Sequence, residues 1–344
     1  MINSKKIKAV IGKDCDISLL KGVKYRDFKK QILISKTVAR EFLKSKGKKL
    51  TRKCTICGNK KFKTATKIYK VEFIQCQKCT HVSRKYYYPI KFLKSFWKKK
   101  GNVINVHSHS NQQTYRRKFL SEPKVGMVLK YFKRKKNAKW LDAGCGNGDL
   151  LENVKKRKII PFGFDLNEKD IYLAKKKGIN AFRTDIEGFY KIAKQNNLKF
   201  DIVSANGFFD VINEPSFAMK LMSKLLKKNG LLMAGIPNFE SVTHEIIRLY
   251  PEESIRHLTA AQRSSFTIKS LLYALKKNGF KPIFRWKYGL DVYMIMNYMC
   301  QKNKNFENSK TMNVLVKRYN EIQKIFDEEN CSGSLFIIAK KIKG

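Results

Sequence analysis

Trp140-Leu-Asp-Ala-Gly-Cys-Gly-Asn-Gly-Asp149 is the most informative stretch of this 344-residue chain. A short apolar run over 139–141 meets three alternating glycines, and Leu150, Leu151 and Val154 then recur at helical spacing. This order predicts a buried strand end, a sharp turn and the first turn of a helix. Gly144, Gly146 and Gly148 let the backbone turn tightly and let a ligand approach where a Cβ would stand. A phosphate-cradling loop would close in Gly-Lys-Ser/Thr, but Asp149 follows Gly148. A dinucleotide loop needs Gly or Ala three residues after its second glycine, and counting from Gly146 that place is again Asp149. A carboxylate there would repel a diphosphate and tolerate a ligand without one. An ordinary Gly-rich turn between strand and helix is the plainer alternative.

Downstream, strands and helices alternate to residue 341. Residues 159–164 read as a second strand ending at Asp165, 17 residues beyond Gly148. A carboxylate at that place can accept hydrogen bonds from both ribose hydroxyls of a nucleoside cofactor. A third strand over 179–182 ends near Asp185, which is open to two compatible roles: holding an adenine amino group, or capping the helix that starts at Ile186. Residues 200–205 form a fourth strand that opens onto Asn206. Strands over 231–236, 282–287 and 334–339 complete the set, with a mostly helical stretch over 292–329. Expected cofactor contacts are therefore Asp142, Gly144, Cys145, Gly146, Gly148, Asp165, Leu166, Asp185, Ile186 and Asn206.

The N-terminal part carries a second signal. Cys54-Thr-Ile-Cys57 and Cys76-Gln-Lys-Cys79 are two Cys-x-x-Cys pairs with 18 residues between them, within the spacing of a four-cysteine zinc site. Gly58 supplies the left-handed residue that closes such a knuckle, and the intervening 64–74 is β-rich. The reading is a structural Zn2+ in a ribbon of hairpins, closed to catalysis because all four ligands are protein. A thioredoxin-like redox role would need a βαβ frame that is missing here. His81 is expected beside the metal and not on it. Aromatics at Tyr86, Tyr87, Tyr88, Phe92, Phe96 and Trp97 alternate with lysines; they either stack on bases or sugars or pack the ribbon onto the next domain. His107 and His109 offer a metal role or a plain loop. The expected division is a helical segment over 1–50, the ribbon over 51–88, a helical linker or lid over 89–138, and an α/β domain over 139–344 with a helical insertion at about 291–330.

The formal net charge is +47, and it is unevenly spread. Residues 1–139 hold 40 Lys and Arg against 6 Asp and Glu, and the remainder holds 34 against 21. One reading is a basic region that meets a polyanion such as RNA, an acidic membrane face or a sugar diphosphate. The other is compositional drift, since Lys exceeds Arg about four to one and Arg is the residue of specific phosphate recognition. No secretory signal is visible and no run approaches the ~18 apolar residues of a membrane span. The expected location is cytoplasmic, where the eight cysteines stay reduced or bind metal.

Leu141-Asp-Ala-Gly-Cys-Gly-Asn-Gly148 resembles motif I of class I S-adenosylmethionine-dependent methyltransferases. Gly163-Phe-Asp165, Phe200-Asp201, Leu226-Lys-Lys-Asn-Gly-Leu-Leu232, Pro237-Asn238, Arg256-His-Leu258, Phe266-Thr267 and Asn278-Gly-Phe280 extend the likeness over 139–290 and 333–341 to the group that includes ubiquinone-type O-methyltransferases. The resemblance implies a Rossmann-like, seven-stranded α/β sheet, S-adenosylmethionine as cofactor, and the small zinc ribbon ahead of it. The four-cysteine module also resembles that of sugar C-methyltransferases, by spacing alone. Two departures stand out. The acid-His pair usual after the fourth strand is here Asp210-Val211, and residues 260–265 look inserted.

An electrophilic sulfonium methyl needs an aligned nucleophile and a proton acceptor. His257 and His244 are the imidazoles expected nearest the pocket mouth, with Asp210 as the carboxylate candidate, and Glu245 beside it; Cys145 fits motif I as a packing residue. The favoured function is methylation of a small molecule or glycan precursor such as a nucleotide-linked sugar. An RNA methyltransferase docking through the basic N-terminal region is the alternative, and a non-catalytic binding protein on the same fold is the third. Oligomeric state is left open.

Overall fold

The computed structural model describes residues 7–104, 114–133, 136–255, 257–259 and 261–342, without the side chains of 99–104. His107, His109 and Arg256 lie outside the described residues. The chain opens with β1 (Lys8–Ile11), α1 (Ile17–Lys21) and α2 (Tyr25–Lys44). The ribbon follows as β2 (Lys49–Leu50), β3 (Phe62–Ile68), β4 (Val71–Cys76), β5 (Val82–Arg84) and β6 (Tyr86–Tyr87). Then come α3 (Ile90–Ile104), a π-helical turn (Arg117–Ser121) and α4 (Glu122–Leu129).

The α/β domain runs through β7 (Lys139–Ala143), α5 (Asp149–Lys156), β8 (Ile160–Asp165), α6 (Glu168–Lys176), β9 (Asn180–Arg183), α7 (Ile186–Gln195) and β10 (Phe200–Asn206). It continues with α8 (Pro215–Leu225), β11 (Leu226–Pro237), α9 (Val242–Leu249), β12 (Ser264–Ser265), α10 (Ile268–Lys277) and β13 (Phe280–Tyr288). The helical insertion is α11 (Asp291–Lys302), α12 (Lys310–Lys317) and α13 (Tyr319–Glu328), before β14 (Ser334–Lys341).

The main sheet has eight strands in the order β1-β13-β14-β11-β10-β7-β8-β9, where seven were expected. The extra strand comes from the N-terminal segment, which reads as helical. β1 pairs parallel to β13, Lys8 opposite Phe284 through Ile11 opposite Lys287. All four of its residues are exposed, so backbone pairing alone holds it, and neither an apolar run nor an alternation announces it. β13 and β11 are each antiparallel to β14, so β1, β13 and β11 point the same way. β7 lies between β10 and β8, both parallel to it. The chain leaves β7 and β10 for opposite sides of the sheet, which opens a crevice at their carboxyl ends.

The ribbon is built into this domain. β12 extends the ribbon sheet by pairing with β5, Ser264 opposite Ser83 and Ser265 opposite Val82. The stretch that looks inserted thus ends in Ser264 and Ser265, the two-residue strand that docks the ribbon. The Arg263 guanidinium is buried there and donates to Arg84 O at 2.9 Å and Thr51 Oγ1 at 3.1 Å. Cys54, Ile56, Cys76 and Cys79 share one apolar cluster with Phe266 and Leu271. The N-terminal segment is tied down likewise: α2 buries Phe28, Ile32, Val38 and Phe42 along one stripe. Phe28 meets Tyr293 of α11 with ring centroids 5.3 Å apart.

Candidate active site

β7 is fully buried at Trp140, Leu141 and Ala143 and delivers the glycine loop to the carboxyl edge of the sheet. Gly144, Gly146 and Gly148 have φ of 69°, 51° and 80°, the left-handed region that favours glycine. Gly144 N and Cys145 N donate to Phe164 O at 2.9 and 3.1 Å, which clamps the loop onto β8. Gly146 N donates to Asp165 Oδ2 at 3.1 Å and Asn167 N to Asp165 Oδ1 at 2.9 Å. The carboxylate is thus held by two backbone amides, and its remaining lone pairs are available to hydroxyl donors.

The loop and Asp165 wall a cleft of about 460 Å³, a volume in the range of small-molecule sites. Asp142, Gly144, Cys145, Gly146, Asp165, Leu166, Asp185 and Asn206 line it. Gly148 and Ile186 stand behind the wall. A Cβ on Gly148 would lie 2.3 Å from Ile179 Cδ1, so this glycine serves the packing of α5. Asp142 accepts from Ser204 Oγ at 2.5 Å, and burial pushes its carboxyl up to about 7. Burial holds the Cys145 thiol well above its ordinary range, which makes it a packing group. Asp185 caps a helix and also lines the cleft. It caps α7 by accepting from Gly188 N at 2.9 Å, and it stands at the cleft, ion-paired to Lys94 at 2.6 Å.

The expected proton acceptors are elsewhere. His244 is fully buried, with Nδ1 3.0 Å from Ser241 Oγ and Nε2 3.3 Å from Ser265 Oγ. Its ring stacks on His257 at 5.0 Å, and neither imidazole lines the cleft. Asp210 is also buried; its carboxylate accepts from Gln262 Nε2 at 2.8 Å, and its carbonyl accepts from Arg263 N and Ser264 N. The physical reason lies in the loop after β10. Phe209 is fully buried and Asp210 turns toward β12, while Phe208, Val211 and Ile212 line the cleft.

The cover of the cleft comes from residues within 89–138 that were not among the expected contacts. Leu93, Lys94 and Trp97 of α3, Arg116 and Leu120 of the π-helical region, and Lys124 of α4 line it. Lys124 is buried and donates to Asn206 Oδ1 at 2.8 Å. Burial, then Arg116 and Lys13, lower its ammonium to about 7. A signal for Lys124 was present: it shares the buried stripe of α4 with Val125 and Val128, where a surface lysine would not sit.

The four ribbon cysteines form one cluster, with all sulfur atoms within 4.8 Å of one another. Cys54 and Cys79 are 3.5 Å apart, as are Cys57 and Cys76. Gly58 N donates to Cys54 O and Thr80 N to Cys76 O, both turns closing on left-handed residues. The set fits a tetrahedral thiolate site. His81 is buried with its ring on Phe266 at 4.5 Å; it is outside the cluster. The aromatics beyond the ribbon pack inward. Phe42 meets Tyr88, Phe92 and Phe96 edge-on at 5.0, 5.1 and 4.8 Å, so these rings are not free to stack on bases.

With this geometry, the comparisons with known proteins are consistent. Residues 113–283 match the family model of a methyltransferase domain. The ubiquinone biosynthesis O-methyltransferase of Pelagibacter ubique is 30% identical over 158 residues, which cover 43% of this chain and 62% of that protein. The enzyme of the same description from Pasteurella multocida is 24% identical over 160 residues, again 43% and 62%. The chain thus spans about three-fifths of the length of these relatives. Among solved structures, magnesium protoporphyrin IX methyltransferase from Synechocystis PCC 6803 superposes with a TM-score of 0.48 at 12% identity, covering 74% of this chain and all of that one.

Proposed function

We propose that the chain uses residues 113–283, which match the model of a methyltransferase domain, to pass the methyl group of S-adenosylmethionine to a small-molecule acceptor. The observation that carries this reading is the Asp165 carboxylate, fixed by Gly146 N and Asn167 N and facing the same cleft as the glycine loop. Asp165 would hold the two ribose hydroxyls and Asp185 the adenine amino group. Asp142 and Lys124 face the place for the zwitterionic amino-acid end. When bound, the cofactor supplies an electrophilic methyl group; the protein's part is to bind it and to align the acceptor. His244, His257 and Asp210 act in this reading by holding β12 and α9 in place. Asp165→Ala should weaken S-adenosylhomocysteine binding at least about thirtyfold, the cost of two charge-assisted hydrogen bonds; calorimetry returning an unchanged affinity would refute the cofactor assignment.

The relatives' printed function supports an O-methyltransferase acting on a small molecule, and the roof made by α3 favours such an acceptor over a polymer. A glycan precursor such as a nucleotide-linked sugar is the narrower form of this proposal. The RNA alternative keeps only part of its stacking platform, since Tyr88 and Phe96 are buried while Tyr86, Tyr87, Phe92 and Trp97 are half-buried. A non-catalytic binding role predicts cofactor affinity without turnover in the presence of any acceptor. We assign Zn2+ to the cysteine cluster as a structural ion.

A further inference from the structure

We propose that Lys94 is a gate on the cofactor site: its ion pair with Asp185 closes the adenine end of the cleft, and each cofactor that enters or leaves displaces it. This rests on the methyltransferase reading above and names what controls access to that same site. Ile90, Leu93, Lys94 and Trp97 recur on α3 at i, i+3, i+4 and i+7, and all four line the cleft. One stripe of the helix is therefore its roof, and Lys94 is the charged member of that stripe.

The helix backbone is anchored. Phe92 and Phe96, on the opposite stripe, pack edge-on against Phe42 of α2. Tyr88, just ahead of the helix, is buried against the same ring. The movable part of the roof is thus the Lys94 side chain, a point charge on a flexible four-carbon stem. That side chain is 48% exposed and its Asp185 partner 29%. An ion pair so open to water is weak enough to break and re-form readily. The displaced ammonium has only to turn outward into solvent, where an exposed lysine is well hydrated.

The place of the pair gives it this role. Both oxygens of Asp185 are engaged: Oδ1 accepts from Gly188 N at 2.9 Å and Oδ2 from Lys94 Nζ at 2.6 Å. The first bond caps α7 and belongs to the fold. The second ties the roof to the end of β9, at the oxygen left for an adenine amino group. Ammonium and amino group are both donors. Although Oδ2 has a second lone pair, a full positive charge beside the amino hydrogens disfavours sharing it. The neighbouring carboxylates do not stand in for it. Asp165 is held by two backbone amides and Asp149 is paired with Lys177 at 2.8 Å.

The test follows S-adenosylhomocysteine entering the full chain by stopped-flow fluorescence. Of the three tryptophans, Trp97 lines the cleft while Trp140 and Trp286 are buried in the core, so Trp97 reports entry. S-adenosylhomocysteine carries no net charge, and salt therefore acts on its association through the ion pairs of the protein. Association with the parent should quicken at least about twofold between about 50 mM and about 500 mM salt. Lys94→Gln should associate at least about threefold faster than the parent at the lower salt, with no further gain at the higher one. Lys94→Arg should restore the parent's slow, salt-sensitive entry. Association that is unchanged or slower in Lys94→Gln overturns the gate and leaves Lys94 a static prop; so does a salt response that survives the substitution. Should Lys94→Gln not fold, the parent alone decides, and a rate flat in salt overturns the proposal. A chain that binds no S-adenosylhomocysteine overturns the methyltransferase reading and the gate with it, whereas binding with these rates unmoved overturns the gate alone.

Discussion

Asp327 shows how a single buried carboxyl couples this fold to pH. It accepts from Gln323 Nε2 at 3.0 Å, and burial, with Asp291 nearby, pushes it up to about 7. The native state therefore keeps a proton that the unfolded chain releases near pH ~4. Its contribution to stability is complete below that value and is lost as pH rises through about 7. Asp327→Asn, neutral throughout, should melt progressively higher than the parent as pH goes from 5 to 8, and a gap in melting temperature that stays flat would refute the assignment. Gly148→Ala should cost about 1–3 kcal/mol, because its φ is positive and Ile179 Cδ1 occupies the Cβ position. Chemical denaturation would measure this, with cofactor affinity little changed in the folded fraction. Asp165 and the glycines were legible in the sequence because their roles depend on local backbone geometry. The place of Asp210 depended instead on which way the loop after β10 turns, and that of His244 and His257 on side-chain packing against Ser241, Ser265 and each other.

Among the elements, β12 and α3 matter most for function. The sequence around Cys54 and Cys76 announced the ribbon, since ligand spacing is a local property. Its docking was not announced, because a two-residue strand carries no periodic pattern and residues 260–265 look like an insertion. β12 and the shared cluster with Phe266 join ribbon and sheet into one packed body. Cys76→Ser, or metal removal with a chelator, should therefore lower the melting temperature of the whole chain in a single transition. Two separate transitions, with the cofactor-bound one unmoved, would show the ribbon to be independent. Helix α3 was legible as a lid region by position, and its Lys94 latch on Asp185 was not, since an exposed lysine on a helix is ordinarily solvated.

For the whole molecule, the +47 charge predicts adhesion to any polyanion. Binding to RNA should fall steeply with salt and should not be changed by Asp165→Ala; an RNA affinity that depends on bound cofactor would revive the RNA alternative. No helix among the described residues is long and apolar enough to cross a membrane. Residues 7–45 are structural. Gln31 Nε2 donates to Tyr293 Oη at 3.0 Å and Tyr25 N to Glu307 Oε2 at 2.9 Å, beside buried Phe28 and Phe42. Their deletion should lower the melting temperature by more than about 10 °C or abolish cooperative unfolding, since several buried aromatics are lost at once. β1 carries a further consequence. Its partner strand lies about 275 residues later, Lys8 opposite Phe284, so during synthesis β1 must wait, unpaired, until that partner has left the ribosome. Contacts of such long sequence separation form late, and this edge of the sheet is completed only when they do.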